Sequence, residues 1–117
     1  MIYVGTDLVE VDRIRALMTK WPERFLARIF TPDEIEYCQR QARPTLHFAG
    51  RFAAKEAVKK VLYSAGHREP IPFRQIRVHR DAHGAPLVSL AGLSAQPQVS
   101  ISHVEHHAIA TAVLEAP

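Results

Sequence analysis

The chain has 117 residues, of which 47% are hydrophobic and 23% charged, a composition typical of one globular domain. We therefore expect a single domain over residues 1–117. The only cysteine, Cys38, excludes an intrachain disulfide and a cysteine-based zinc cluster. The sequence has no secretory signal pattern and no apolar stretch near the roughly 18 residues of a membrane span, so we expect a cytoplasmic protein without membrane contact.

Positive charge is concentrated in the middle of the chain. The net charge is only +3, but residues 39–80 hold ten Lys and Arg against two acids, a local net charge of +8. Such a region attracts an anionic partner: nucleic acid, a phosphorylated small molecule or an acidic protein. The alternative is a solvated basic surface without a specific ligand.

The first forty residues predict a strand followed by two helices. Residues 2–11 are β-branched and alternate loosely, which indicates a strand. Helical spacing of apolar residues begins after Asp12 and ends at Trp21, which precedes a proline. Thr31 and Glu34 flank Pro32 in the spacing of a capping box, which predicts the start of a further helix.

The rest of the chain predicts one long helix and then strands. Residues 45–64 form the long helix, with Gly66 as its C-terminal signal. Four later segments have the pattern of strands: residues 73–80, 86–90, 99–102 and 108–114. Gly84 is expected to take a positive φ in a hairpin turn between the first two. This order predicts an α+β fold in which a long helix packs against a small antiparallel sheet.

Two carboxylates are candidates for chemistry. Asp7 lies in an apolar strand, where a carboxylate is costly without a partner or a metal, although a structural or exposed aspartate is the commoner case. Glu56 shares a helix face with Phe52 and Lys60, and its simplest interpretation is a surface Glu–Lys pair. Its other neighbours are basic as well: Arg51, Lys55 and Lys59. An acid in this setting could hold a cation while the bases hold phosphates.

The last candidates are histidines. His103 ends the strand that contains Ser100 and Ser102, and it could donate a hydrogen bond to a phosphate or titrate, although such a residue is more often a simple surface histidine. His103, His106 and His107 have a poor spacing for zinc, so we do not expect a zinc site.

Five motifs, taken in order and spacing, resemble the holo-acyl-carrier-protein synthase family, the short group of 4′-phosphopantetheinyl transferases. They are Gly5-Thr-Asp7, Val9-Glu-Val-Asp-Arg13-Ile, Phe30-Thr-x-x-Glu34, Gly50-Arg-Phe-Ala-Ala-Lys-Glu-Ala57 and Ser100-Ile-Ser-His103. The resemblance implies that the protein transfers the phosphopantetheine arm of coenzyme A to a serine of an apo acyl carrier protein. It also implies Mg²⁺, release of adenosine 3′,5′-bisphosphate, a homotrimer with active sites between subunits, and a place in fatty acid biosynthesis.

The resemblance also implies roles for individual residues. Asp7 and Glu56 would bind Mg²⁺, and with Lys60 they would form the catalytic set; Glu56, acting through water, is the candidate base. The coenzyme A phosphates would be bound by Arg51, Lys60, Ser64 and His103. After the long helix the family often has glycines where this chain has Tyr63 and Ala65, so phosphate contacts there could differ.

The carrier protein would dock on arginines. Arg13 matches the family's docking arginine by position, and Arg24 and Arg28 are expected on or just beyond the same helix. Two alternatives remain open at this point: a non-catalytic basic module that binds anions or nucleic acid, and an inactive member of the family. The first lacks aromatic RNA-binding platforms and a recognition helix, so we expect no nucleic acid partner.

Overall fold

A computed structural model describes all 117 residues, and in it one long helix packs against a small antiparallel sheet. In chain order the elements are β1 (Ile2–Glu10), α1 (Val11–Lys20), α2 (Pro22–Ile29), α3 (Pro32–Gln39), α4 (Pro44–Ser64), β2 (Ile76–Arg80), β3 (Pro86–Leu90), β4 (Gln98–His103) and β5 (His107–Glu115). One sheet has the order β1-β5-β4, and β2 and β3 form a separate hairpin. This arrangement confirms the α+β prediction.

Two element boundaries differ from the sequence predictions. Arg24 and Arg28 lie on a separate helix, α2, because Pro22 occupies its first turn, where a missing N–H costs nothing. Residues 73–75 are a 3₁₀ turn rather than the start of a strand, and the strand begins at Ile76. The turn forms because the Gln75 N–H donates to the Pro72 carbonyl at 3.0 Å.

The sheet and α4 approach each other closely at a glycine. A Cβ on Gly5 would lie 2.5 Å from the Ala57 carbonyl oxygen and 2.8 Å from the Val61 nitrogen. Contacts that short do not occur, so only glycine allows the backbone of β1 to lie directly on the helix. Small residues on both sides, such as Ala57 and the buried Ala110 of β5, make this thin layer possible.

The outer face of the three-stranded sheet is apolar and uncovered. Val4 pairs with Val113 and Leu8 pairs with Ile109 across β1 and β5, and all four side chains are exposed. An exposed apolar sheet face of this kind is typical of a surface that another protein chain covers. None of the helices has the length and apolarity that crossing a bilayer requires.

The predicted capping box at the start of α3 is confirmed. The Glu34 N–H donates to Thr31 Oγ1 at 3.3 Å, and the Thr31 N–H donates to Glu34 Oε1 at 2.8 Å. The second carboxylate oxygen of Glu34 accepts a 2.7 Å hydrogen bond from the Val78 N–H of β2. The side chain that caps α3 therefore also attaches the β2–β3 hairpin to it.

Lys55 of α4 completes this arrangement as a fully buried cation. Its Nζ donates to Glu34 Oε1 at 2.7 Å, to the Ile29 carbonyl at 2.9 Å and to the Phe73 carbonyl at 3.2 Å. Burial lowers the pKa of Lys55, and the Glu34 carboxylate opposes that shift. The hypothesis that Lys55 helps to bind phosphates is wrong, because all three of its donors are engaged inside the core.

Candidate active site

A groove between β1, α1 and α4 brings together three of the predicted site residues. Asp7, Glu56 and Arg13 line it, and Phe52 forms part of its apolar wall. The groove has a volume of about 370 Å³. Asp7 and Glu56 are 49 positions apart in the sequence, so only the packing of β1 on α4 places both carboxylates in one site. We call this site the Asp7–Glu56 groove.

Asp7 lies on the inner face of β1, where its carboxylate has a cationic partner. Lys60 Nζ lies 3.1 Å from Asp7 Oδ1 and donates to the Thr6 carbonyl at 2.9 Å. The Asp7 side chain is 16% exposed, so the pairing explains how a charge is accommodated in an apolar strand. The simple interpretation of Glu56 and Lys60 as a surface pair is wrong, because Lys60 reaches across to β1.

The periodicity of α4 distributes its charged residues over two faces. Phe52, Glu56 and Lys60 follow one another at intervals of four and face β1. Arg51 and Lys55 form the adjacent row, which is rotated by about 100° because each helical residue turns by that angle. Consecutive residues of α4 therefore point their side chains to different sites, as in the pairs 51/52, 55/56 and 59/60.

Arg51, in this adjacent row, lines a separate cavity of about 260 Å³, which we call the basic cavity. Arg51 and His103 line it, as do His47, Arg80 and Tyr37. It shares no lining residue with the Asp7–Glu56 groove. The structure therefore places the predicted coenzyme A residues Arg51 and His103 together, but apart from Asp7 and Glu56.

Two residues of the basic cavity escaped the sequence analysis. His47 precedes Arg51 by one helical turn, so the spacing contained the signal. Its ring lies 5.4 Å from that of His103, and burial, followed by the charges of His103, Arg51 and Arg80, lowers the pKa of His47. Arg80 comes from the β2–β3 hairpin, and no local pattern predicts that it meets α4.

Ser64 lies at the end of α4 and lines neither the groove nor the basic cavity. It borders a shallow depression with Lys60, Gly5 and the exposed ring of Tyr63. Lys60 is the link between this depression and the groove, because its ammonium group reaches Asp7.

The three predicted docking arginines lie on two helices. Arg13 of α1 is exposed and lines the rim of the Asp7–Glu56 groove, while Arg24 and Arg28 are exposed on α2. Arg24 stacks on Trp21, with its guanidinium carbon 5.5 Å from the ring centroid, and Lys20 lies 5.3 Å from the same ring. This corner between α1 and α2 thus combines positive charge with an exposed aromatic ring.

The chain contains no group of three or more His, Cys, Asp and Glu side chains that could hold a metal ion. Two carboxylates in an open groove match Mg²⁺ instead, which binds one or two carboxylates and completes its shell with water and substrate phosphate. Asp7 and Glu56 therefore fit this ion chemically.

Cys38 of α3 is completely buried next to Arg51. Burial raises the pKa of the thiol to about 11, although the nearby Arg51 charge opposes the shift. A thiol in this environment is an inert part of the core rather than a nucleophile.

Comparison with known proteins identifies the family. The family model for the 4′-phosphopantetheinyl transferase superfamily matches residues 3–113. The chain is 44% identical over 116 residues to the holo-[acyl-carrier-protein] synthase of Protochlamydia amoebophila, with 94% of each chain covered. Similar solved structures include the synthase of Neisseria meningitidis, at 34% identity and a TM-score of 0.85, with 99% of this chain and 100% of that chain covered.

A second similar solved structure is a complex with coenzyme A. It is the Helicobacter pylori holo-[acyl-carrier-protein] synthase in complex with coenzyme A, at 30% identity and a TM-score of 0.83, with 96% of this chain and 99% of that chain covered. The motifs, the α+β fold and these similarities agree along nearly the whole length. The chain belongs to the holo-acyl-carrier-protein synthase family of the 4′-phosphopantetheinyl transferase superfamily.

Proposed function

We propose that this protein transfers 4′-phosphopantetheine from coenzyme A to a serine of an apo acyl carrier protein. The serine oxygen forms a bond to the phosphorus that carries pantetheine, and the pyrophosphate P–O bond breaks. Adenosine 3′,5′-bisphosphate leaves, and the serine proton passes to a base. The observation that carries the proposal is the Asp7–Glu56 groove, in which two carboxylates from distant parts of the chain meet beside Lys60.

The groove supports a Mg²⁺-dependent reaction. Asp7 and Glu56 would hold the ion, and Lys60 would remain between Asp7 and the Thr6 carbonyl. When bound, Mg²⁺ would neutralise negative charge on the pyrophosphate oxygens. The Lys60 ammonium adds a second positive charge on the same side, which favours the departure of an anionic leaving group.

Glu56 is the candidate base. It takes part in none of the ion pairs of the chain, whereas Asp7 is paired with Lys60. Because the same carboxylate would also hold the ion, we propose that Glu56 accepts the serine proton through a water molecule rather than directly. Arg13 at the groove rim would help to bring the acidic carrier protein, and hence its serine, towards Glu56.

A homotrimer would join the two separated sites. Arg51 and His103 line the basic cavity, and Asp7 and Glu56 line the groove, with no shared lining residue. One coenzyme A molecule can use both sets if the cavity of one subunit faces the groove of its neighbour. The uncovered apolar face of β1 and β5 supports such an assembly, because a chain of this size gains stability by burying it.

We propose that the reaction takes place in the cytoplasm and serves fatty acid biosynthesis. The second part is what the family resemblance implies. A carrier protein of polyketide synthesis presents the same acceptor serine and is a second substrate to test.

The decisive experiment is a transfer assay monitored by mass spectrometry. Apo acyl carrier protein is incubated with coenzyme A, Mg²⁺ and the protein, and the carrier is expected to gain the mass of one phosphopantetheine arm. A carrier in which the acceptor serine is replaced by alanine is the control and should gain nothing. An unchanged apo carrier at stoichiometric protein would contradict the proposal.

A further inference from the structure

Lys59 of α4 is a half-buried cation without a partner of opposite charge. It takes part in none of the ion pairs of the chain, and its Nζ lies 3.4 Å from the centroid of the Phe73 ring. Burial lowers the pKa of Lys59, and the negative charge of Glu56 opposes this shift. The ammonium group has thus lost part of its hydration, and such a cation attracts an anion more strongly than a fully hydrated one.

The neighbouring lysine, Lys60, differs in this respect. Its ammonium group lies 3.1 Å from Asp7 Oδ1 and donates to the Thr6 carbonyl at 2.9 Å, so its charge is balanced within the chain. Consecutive residues on a helix diverge by about 100°, and the two side chains extend in different directions, Lys60 towards β1 and Lys59 towards Phe73. Lys59 therefore keeps a positive charge that is available to a ligand.

Both lysines line the shallow depression at the end of α4 that Ser64 borders. The depression contains no carboxylate, since its other lining residues are Val4, Gly5 and Tyr63. A surface with two ammonium groups, one hydroxyl and no acid favours an anion with several acceptor oxygens, such as a phosphate.

The backbone at the end of α4 has few donors to offer such an anion. The Ala65 N–H donates to the Val61 carbonyl and the Gly66 N–H donates to the Tyr63 carbonyl, each at 3.0 Å. These N–H groups are used within the chain, so side chains have to supply the donors in this region. The lysine without an acidic partner is the one best placed to do so.

The depression lies next to the Asp7–Glu56 groove along α4. Glu56 precedes Lys59 by three residues, which is about 4.5 Å along the helix axis, and residues at this spacing share a helix face. Phe52 of the groove wall stacks on the same Phe73 ring that Lys59 contacts, with the two ring centroids 5.5 Å apart. Glu56 and Lys59 are therefore placed to act on neighbouring groups of one ligand.

The two sides of the groove would serve different reactants. Arg13 of α1 lies at the rim, and the carrier serine would approach from that side. In phosphoryl transfer the attacking and the leaving oxygen lie roughly in line, on opposite sides of the phosphorus. The leaving group therefore departs away from α1, and the depression that contains Lys59 has no lining residue from α1.

We infer that Lys59 is a further catalytic residue, whose ammonium group contacts the 5′-phosphate of the leaving adenosine 3′,5′-bisphosphate. This inference rests on the proposed function. When the serine oxygen bonds to the phosphorus that carries pantetheine, the bridging oxygen and its electron pair stay with the 5′-phosphate. Lys59 stabilises this additional negative charge and transfers no proton.

The test compares the binding of two nucleotides to the full-length protein by calorimetry. Adenosine 3′,5′-bisphosphate carries the 5′-phosphate, and adenosine 3′-monophosphate lacks it. In Lys59→Met we expect the Kd for the bisphosphate to rise about 10-fold, as for the loss of a hydrogen bond to a charged group. The Kd for the monophosphate should stay unchanged. Methionine retains a favourable contact with the Phe73 ring, so circular dichroism should show an unchanged fold.

Two further variants make the result specific to charge at this position. Lys59→Arg should keep most of the preference for the bisphosphate, because the positive charge is retained. Arg74→Gln is the matched control, since Arg74 is exposed next to Phe73 and lines neither the groove nor the depression. The inference is overturned if Lys59→Met weakens both nucleotides equally or neither of them, or if Arg74→Gln loses the preference as well.

Transfer kinetics give a second readout. Lys59→Met should lower kcat by about 10-fold or more, since electrostatic stabilisation of the leaving group is lost. The KM for the carrier should stay unchanged, because the carrier approaches from the side of α1. An unchanged kcat would overturn the catalytic role.

The binding experiment also separates this inference from the proposed function. If the wild-type protein modifies the carrier but binds both nucleotides equally, the inference fails and the proposed function stands. If the preference for the bisphosphate depends on Lys59 and no carrier is modified, the phosphate contact is supported and the proposed function fails.

Discussion

Lys55 Nζ and Glu34 Oε1 lie 2.7 Å apart, with the lysine side chain 0% and the glutamate side chain 1% exposed. The pair joins α4 to the start of α3, and the other carboxylate oxygen of Glu34 accepts a hydrogen bond from the Val78 N–H of β2. Lys55 directly precedes Glu56, so this buried contact also fixes the rotation of α4 that points Glu56 into the groove. A core ion pair therefore determines the geometry of a neighbouring solvent-accessible site.

Replacing Lys55 alone should destabilise the fold severely. Lys55→Met leaves the Glu34 carboxylate buried without its cation, which typically costs about 3–5 kcal/mol. Urea unfolding monitored by circular dichroism measures the change in the free energy of unfolding. The double variant Lys55→Met/Glu34→Gln, which leaves no charge, should recover much of the loss; equal instability of both variants would contradict this reasoning.

Removing either groove carboxylate should abolish most of the activity without unfolding the protein. Asp7→Asn and Glu56→Gln keep the size of each side chain, and we expect turnover to fall by about 100-fold or more, since electrostatic stabilisation at the reacting group is lost. Excess chelator should have the same effect on the wild-type protein, and added Mg²⁺ should reverse it. Full activity in the presence of chelator would contradict the assignment of a metal to this groove.

Mixing two inactive variants should restore activity if neighbouring subunits share each site. Glu56→Gln impairs the groove, and Arg51→Met impairs the basic cavity. In trimers assembled at random from equal amounts, about one quarter of the sites combine an intact groove with an intact cavity. Co-refolded mixtures are compared with each variant refolded alone, and a mixture as inactive as its components would argue for sites within single subunits.

Binding of coenzyme A should take up a proton at mildly acidic pH. His47 faces His103, Arg51, Arg80 and the Tyr37 ring, and its pKa is lowered from 6.5 by burial and then by the three basic neighbours. His47 is therefore neutral in the free protein over a range just below pH 6.5, and an anion in the cavity would favour its protonation.

Calorimetry in two buffers of different ionisation enthalpy measures this proton uptake. We expect uptake at about pH 6 and little at about pH 8, where both states are neutral. The same shift predicts that stability of the free protein falls as pH drops below 6.5 through the folded-state pKa, because the unfolded state binds the proton more readily. In His47→Gln the uptake should decrease; an unchanged value would assign it to another group.

Reversing the charge of Arg13 should weaken carrier binding more than coenzyme A binding. Arg13 is exposed at the groove rim, and contacts with an acidic carrier are electrostatic and sensitive to salt. Arg13→Glu should raise the KM for the carrier and leave the affinity for coenzyme A nearly unchanged. Comparable losses for both substrates would place Arg13 in the nucleotide site instead.

Local patterns predicted much of the fold. The capping box at Thr31, the long helix up to its Gly66 signal and the hairpin around Gly84 all follow from neighbouring residues, and all are confirmed. Pro22 predicts the end of one helix, and in the structure it also starts the next one. Proline disfavours a helical conformation of the preceding residue but is well suited to a first turn, so the sequence is consistent with both roles.

Contacts between distant residues could not be predicted in the same way. A buried lysine has the same local sequence environment as an exposed one, so nothing near Lys55 indicates that Glu34 lies opposite. Helical spacing predicts that Lys60 pairs with Glu56, whereas in the structure it pairs with Asp7 because Gly5 lets β1 approach α4 closely. The motif resemblance supplied the predicted site residues. The structure places Asp7 and Glu56 in the groove and Arg51 and His103 in the basic cavity, and Ser64 lines neither.

Cys38 is a buried thiol in a protein whose substrate, coenzyme A, also ends in a thiol. With a pKa of about 11, only roughly one Cys38 in ten thousand would be a thiolate at neutral pH, and it is shielded from solvent. Coenzyme A that has oxidised to its disulfide therefore cannot form a mixed disulfide with the folded protein. Colorimetric thiol reagents added to the native protein will report free coenzyme A alone, and the protein tolerates oxidising storage without covalent capture of its own substrate.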